Sequence, residues 1–468
     1  MSVYNLIYEP LIRINDNYEP EPCLAESWIP KDDGRTWIFN IRRGVTFSDG
    51  TPLTANDVVA TATAILNRAN DDTVADKGFY GNLHYFVSKI TANDEYTVTV
   101  RTPSNRSYFG LLYAMNFPVL PASQVGTDEP TGSGPYIIGD FSPGEYIFLE
   151  RNPNWWRTPP KVEQITFVCH ETQRALIESY EYGSVKTIFT RSTAAAQYRS
   201  GASSLSLDYR TNQLETLLMN HTYGRLSSLN VRLAIRYAVD IDAIAENIYL
   251  GMVTRTDTPM VPGLWTYNDG VNGCFRHDVE EAKRLLAEDG WGDSDDNGIL
   301  DKLNSEGKKI DLTMNLLVYE EPDNDVRIQA ARMIQSQLAL IGIDVTIVTS
   351  SYSEAQEKLK AGNFHLALAA YAIDPCPDPG YLLISGNDGN FSRYRSDRMN
   401  DLCKELRKCV YLSDFQAKLN EIQQVFAEDC PFLCLYYRNG VVLTRYMYTT
   451  VRDVREYDLL RGIESFRP

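Results

Sequence analysis

The sequence predicts an α/β protein with more than one domain. Three observations carry this. The chain has 468 residues, enough to bury two or three separate cores. Its 43% hydrophobic and 23% charged content is that of an ordinary globular protein. Its second half alternates strand and helix patterns in the order that builds a parallel sheet.

The first hundred residues are strand and turn material. Trp37 to Ile41 alternates apolar and polar side chains, with turn signals at Asp32-Asp33-Gly34 and Ser48-Asp49-Gly50. Thr54, with Asp57 three residues on, predicts the N-cap of a helix over Val58 to Leu66. Tyr96 to Val100 alternates again, and the polar Asn67 to Gly81 between them reads as a surface excursion.

Further on, a helix opens at Asp278, with Glu281 at capping-box spacing, and closes at Gly290. Then come a strand over Leu312 to Val318, a helix over Asp325 to Ile341 ended by Gly342, and a strand over Ile343 to Thr349. Ser353 caps a helix to Ala361, ended by Gly362. The series closes with the apolar run Leu366 to Ile373, which reads as a buried strand; Ala-rich runs of this length are otherwise short buried helices. This β-α-β-α-β order implies a doubly wound domain with right-handed crossovers.

The last strand stops at Asp374, before Pro375, Pro377 and Pro379, which cannot continue a ladder. Ligands of open α/β sheets bind beyond the carboxyl ends of strands, so Asp374 is a candidate ligand residue. An Asp before Pro also commonly starts a turn.

Composition excludes several classes. A net charge of −17 argues against nucleic acid or an anionic membrane as partner. No apolar run reaches membrane-spanning length, and no basic-then-apolar stretch opens the sequence as given. This predicts a soluble chain or the soluble part of an exported one. The eight cysteines form no CxxC pair, and Cys430 and Cys434 flank apolar residues as small core side chains do. The five histidines are scattered, with His365 at the start of the last strand reading as packed. Gly132-Ser133-Gly134 lacks the full nucleophile-elbow pattern, and no phosphate-cradling loop is present. One loop resembles a calcium site: Asp293, Asp295, Asn297 and Asp301 stand at positions 1, 3, 5 and 9 with Gly298 at 6, but Asn304 replaces the bidentate Glu at 12. A weakly bound calcium and a solvated turn are both open readings.

Several motifs follow one another in order: Tyr8-Glu9-Pro10-Leu11, Leu24-Ala25-Glu26-Ser27-Trp28, Asp32-Asp33-Gly34-Arg35-Thr36-Trp37, and the run from Arg42 through Phe47-Ser48-Asp49-Gly50-Thr51 to Val58. Gly132-Ser133-Gly134-Pro135-Tyr136, Arg151-Asn152-Pro153-Asn154-Trp155-Trp156 and Asn230 to Asp240 continue the series. Together they closely resemble the oligopeptide/dipeptide/nickel class of ABC-transporter solute-binding proteins (family 5), over nearly the whole chain.

The resemblance implies a two-lobed, class II periplasmic-binding-protein-like fold, with an extra α/β domain on the first lobe and two crossing strands as hinge. The crossings are expected near Leu214 to Asn220 and Phe432 to Tyr437. The first lobe would comprise residues 1–22, 126–217 and 436–468, the extra domain 23–125 and the second lobe 218–435. Family members carry a strand and a Leu-Asp-Pro loop ahead of the motif that here begins at Tyr8. The resemblance therefore implies a strand, a signal segment and a lipid anchor upstream, and a place at the extracellular face or in the periplasm.

By resemblance, Asp374 pairs with the ammonium of a bound peptide in the interlobe cleft, with Tyr371 as the aromatic before it. Dipeptide binders carry a carboxylate-clamping arginine where this chain has Glu320 and Glu321. Arg393 or Arg395 would have to substitute, and longer peptides or a cationic ligand fit better. The implied function is a monomeric, non-catalytic receptor that delivers peptides to an ABC permease and its ATPases. A receptor for a nickel chelate, haem or an oligosaccharide is the alternative, and an enzyme a remote one, since no base–nucleophile pair or metal cluster is visible.

Overall fold

The structure, a computed structural model, describes residues 3–15, 17–74, 76–103, 109–198, 205–271, 276–321, 324–374, 376–445 and 460. The chain forms two compact units. Unit 1 takes Met1–Thr211, Leu406–Phe415 and Gly440–Pro468; unit 2 takes Asn212–Glu405 and Gln416–Asn439. Residues 406–415, expected in the second lobe, therefore belong with unit 1. Pro375, Cys274 and the stretch after 445, apart from Leu460, lie outside the described residues.

Unit 1 contains a four-stranded antiparallel sheet, Ala25–Lys31, Thr36–Ile41, Thr97–Arg101 and Lys89–Asp94 in spatial order. The Thr36–Ile41 strand alternates strictly, burying Trp37, Phe39 and Ile41. A helix over Ala55–Asn70 starts from the Thr54–Asp57 capping box, the Asp57 carboxylate accepting the Thr54 N–H at 2.8 Å. The helix runs four residues beyond the expected Leu66 because Asn67 to Asn70 continue it before the polar loop.

The dispersed motifs meet in unit 1. Glu9 is fully buried, its carboxylate taking the indole N–H of Trp156 at 2.6 Å, with Arg13 at 3.5 Å and Arg157 at 3.8 Å. Burying a carboxylate requires partners of this kind. Asn152 is buried too: its N–H donates to Pro135 and its side-chain amide to Gly134. Gly132 and Gly134 lie against the backbone of Leu6 and Ile7 so closely that a side chain has no room.

Unit 2 is organised on one sheet. Its strands, with the helices between them, are β1 (Leu205–Met219), β2 (Thr313–Tyr319), α1 (Val326–Ala339), β3 (Asp344–Ser350), α2 (Tyr352–Ala361), β4 (Leu366–Ala372) and β5 (Phe432–Thr444). Their order is β5-β1-β4-β2-β3, with β2 parallel to β3 and to β4, and β1 antiparallel to β4. This is the β-α-β-α-β unit of the sequence pattern. Leu316, Val318, Leu366 and Leu368 face one core with Ile334 and Leu338 of α1. The α2 cap is Ser351, two residues before the expected Ser353, because Ser351 and Glu354 make a reciprocal capping box. Gly362 ends α2 at φ 76°, the left-handed conformation that frees the chain to turn into β4.

Two strands are divided between the units: β1 after Thr211 and β5 after Asn439. In unit 1 the far end of β5 pairs with Thr187–Thr190. Among the described residues no helix is long and apolar enough to cross a membrane. The described cysteines are free thiols, and Cys430 and Cys434 are buried.

A Gly132→Ala variant tests the close approach. An added Cβ would fall 1.9 Å from the Ile7 carbonyl oxygen, so stability in urea should drop by about 1–3 kcal/mol. An unchanged midpoint would show that the turn gives way freely.

Candidate functional site

The candidate site lies at the carboxyl ends of β2 and β4 in unit 2. There β4 gives way to Asp374, and β2 to Glu320 and Glu321. Asp374 is reached by solvent but hemmed in by protein. That desolvation raises its pKa above the usual carboxylate range; the Cys376 N–H works against the rise and Asp378 adds to it. One Asp374 oxygen accepts the Cys376 N–H at 2.8 Å, so the residue does start a turn. A turn-forming carboxylate fixed at a strand end is also a rigid place from which to meet a cation.

Tyr371 does not share this exposure. It is buried on the opposite face of β4 from Leu366 and Leu368, its ring stacked at 5.9 Å on Phe391 and its hydroxyl donating to the Gly389 carbonyl at 2.8 Å. Strand alternation places it there, on the same face as Ala369 and Ala367, and it packs the sheet. Arg393 is also committed elsewhere. Its guanidinium donates to the Lys360 carbonyl in the last turn of α2, beside Gly362 at the amino end of β4. That position is roughly 26 Å along the chain direction from Asp374. Caps of this kind satisfy terminal carbonyls and favour the helix dipole. Arg395 is exposed on the same loop.

Glu320 is exposed and makes no ion pair among the described residues. Glu321 belongs to a four-residue ion network that the sequence did not announce. Arg327, in the first turn of α1 and 1% exposed, donates to both oxygens of Glu215 at 2.5 and 2.8 Å and to Glu321 at 2.8 Å. Arg438 of β5 lies 3.1 Å from Glu215 and 3.3 Å from Glu321. Glu215 projects from the middle of β1, opposite Ala370, and is 1% exposed.

Aromatic faces complete the enclosure, Tyr319 4.1 Å from the Arg327 guanidinium and Tyr249 5.6 Å from that of Arg438. Burial opposes charge on Glu321, yet Arg438 and then Arg327 hold its pKa below the carboxylate norm. Burial likewise opposes charge on Arg327, yet Glu215, Tyr319 and Glu321 raise its pKa well above normal. Two carboxylates thus face two guanidiniums, and their formal charges sum to zero.

One signal for the missed residues was present. Glu215 and Arg438 are charges of opposite sign set among apolar residues of their strands, in QLETLL and YYRNGVV. Such charges are seldom buried without each other.

The acidic loop presents three of its four expected residues together. Asp293, Asp295 and Asp301 bring oxygens within 4.8 Å of one another. Asn297 is taken up by the turn, its side-chain oxygen accepting the Ile299 N–H. The hairpin of Asp301–Leu303 and Lys309–Asp311 brings in Lys309, whose ammonium stands 2.6 Å from Asp295 and 3.3 Å from Asp301. An internal cation thus neutralises two of the acids that a calcium ion would use. His365 is packed, stacked at 3.6 Å on Tyr223, with Nδ1 accepting the Asn315 N–H.

A profile of the bacterial extracellular solute-binding proteins, family 5 Middle, matches residues 19–393. The oligopeptide-binding protein AppA of Bacillus subtilis is 25% identical, across 97% of this chain and 86% of that protein. Its solved structure, in complex with a nonapeptide, has a TM-score of 0.71 at 24% identity, covering 99% of this chain and 93% of that one. NikA from Brucella suis in complex with Fe(III)-EDTA has a TM-score of 0.82 at 21% identity, covering 99% and 94%.

Two outcomes test the network. Glu215→Gln leaves buried guanidinium charge uncompensated and should cost about 3–5 kcal/mol in chemical denaturation; a loss under about 1 kcal/mol would mean the charges are not enclosed. Since the folded pKa of Glu321 lies below the unfolded value of about 4.3, its contribution is complete above that pH and is lost as pH falls through the folded value. Acid titration of Glu321→Gln should therefore give a flatter stability profile below about pH 4 than the unaltered protein.

Proposed function

The chain belongs to the bacterial extracellular solute-binding proteins of family 5, and from that premise we propose that it is a non-catalytic receptor for peptides. It meets the peptide's ammonium end at the carboxyl edge of the unit 2 sheet and hands its cargo to an ABC permease with cytoplasmic ATPases. It acts as a monomer at the outer face of the membrane, held there by a lipid anchor.

The observation that carries the reading is Asp374, a solvent-reached carboxylate fixed by its own turn at the end of a buried strand. Asp374 is exposed to solvent but partly desolvated by the protein packed beside it, and a hydrogen bond from an ammonium to a carboxylate is stronger than one between neutral groups. The oligopeptide-binding relative supports peptide as the solute class.

A metal chelate is the second reading, since the fold is also that of a protein whose structure holds Fe(III)-EDTA. An anionic chelate needs free cations, whereas Arg327 and Arg438 at this edge are paired with acids.

Titration calorimetry with pentaalanine and its N-acetylated form tests the proposal. Acetylation, and separately Asp374→Asn, should each weaken binding about tenfold or more. Equal binding of the two peptides would remove Asp374 as anchor. Because the Asp374 pKa is raised, affinity for the free peptide should fall as pH drops through a window above the ordinary Asp value of about 3.9. Asp374→Asn should abolish that dependence.

A further inference from the structure

We infer that Glu321 is a specificity-determining residue: by holding Arg438 and Arg327 in a closed, neutral network, it makes this edge of unit 2 indifferent to a ligand's carboxylate. The inference rests on the peptide reading and deepens it by stating which end of the peptide is read.

The geometry carries it. Each guanidinium faces both carboxylates. Arg327 lies 2.5 Å from Glu215 and 2.8 Å from Glu321, and Arg438 lies 3.1 Å from Glu215 and 3.3 Å from Glu321. With two acids and two bases, the group has no net charge to offer an anion. A ligand carboxylate would have to displace Glu321, exchanging one acid for another while losing its own freedom of motion. It would also approach past Glu320, which is exposed, and Asp374 and Asp378 at the end of the neighbouring strand, a field of the wrong sign.

Glu321 is the member through which a change acts on ligands. Glu215 and Arg327 are almost wholly enclosed, whereas the Glu321 side chain is 18% exposed and that of Arg438 11%. Removing the Glu321 charge leaves one surplus positive charge on Arg327 and Arg438, at a solvent-reached position and with Glu215 still bonded to both. That charge would then bind an anion. Peptide selection here is thus by the ammonium end, with the chain beyond left open in length.

The test compares pentaalanine as free acid with its C-terminal amide, on the unaltered protein and on Glu321→Gln. The unaltered protein should bind the two within about twofold, and Glu321→Gln should prefer the acid by about tenfold. In Glu321→Gln/Arg438→Gln, neutral again, the preference should vanish; a purely structural role for Glu321 would leave the acid-to-amide ratio unmoved throughout. A tenfold preference for the acid in the unaltered protein, or none in Glu321→Gln, overturns the inference. Should Glu321→Gln fail to fold, the comparison on the unaltered protein still decides. If neither peptide binds, the peptide reading fails by itself. Thermal shift with sodium acetate against sodium chloride then settles the charge argument, with a saturable acetate effect expected in Glu321→Gln alone and its absence there counting against the inference.

Discussion

A charge set inside a sheet has to be matched within that sheet, and in unit 2 this requirement binds four elements together. Glu215 sits in the middle of β1, where neighbours on either side are buried. Unpaired, it would cost several kcal/mol or be forced to take up a proton. Arg327 matches it from the first turn of α1, Arg438 from β5, and Glu321 balances the second guanidinium from the end of β2. The β-α-β module is thereby tied to both strands that the units share. Replacing the network by apolar residues of similar volume is often neutral or stabilising in proteins, so it reads as a device for position and charge selection.

The same network gives the carboxyl edge of the sheet its electrostatic character. The arginines are used up internally, while Glu320 and Asp374 remain reached by solvent. The solvent-reached charges of this edge are therefore acidic. The acidic loop around Asp295 follows the same economy, with Lys309 supplying an internal cation.

The strand–helix alternation and most helix ends were legible in the sequence because periodicity, caps and glycines are local signals. The Thr54–Asp57 box and Gly362 behave as their spacing implies. Where two serines competed for the α2 cap, the choice of Ser351 depended on the reach of Glu354, which spacing from Ser353 concealed. The placement of Asp374 at a strand end was equally local. The fates of Tyr371 and Arg393 were not, since each is decided by a partner distant in sequence: Gly389 for one and Lys360 for the other. The network is the extreme case, joining positions 215, 321, 327 and 438 through tertiary packing alone.

The most direct measurement of the central claim is mass spectrometry of what the purified protein releases on denaturation. Peptides with free N-termini and no fixed C-terminal residue are the expected result. A metal chelate, a porphyrin or an oligosaccharide would contradict it and place this chain in another branch of the family.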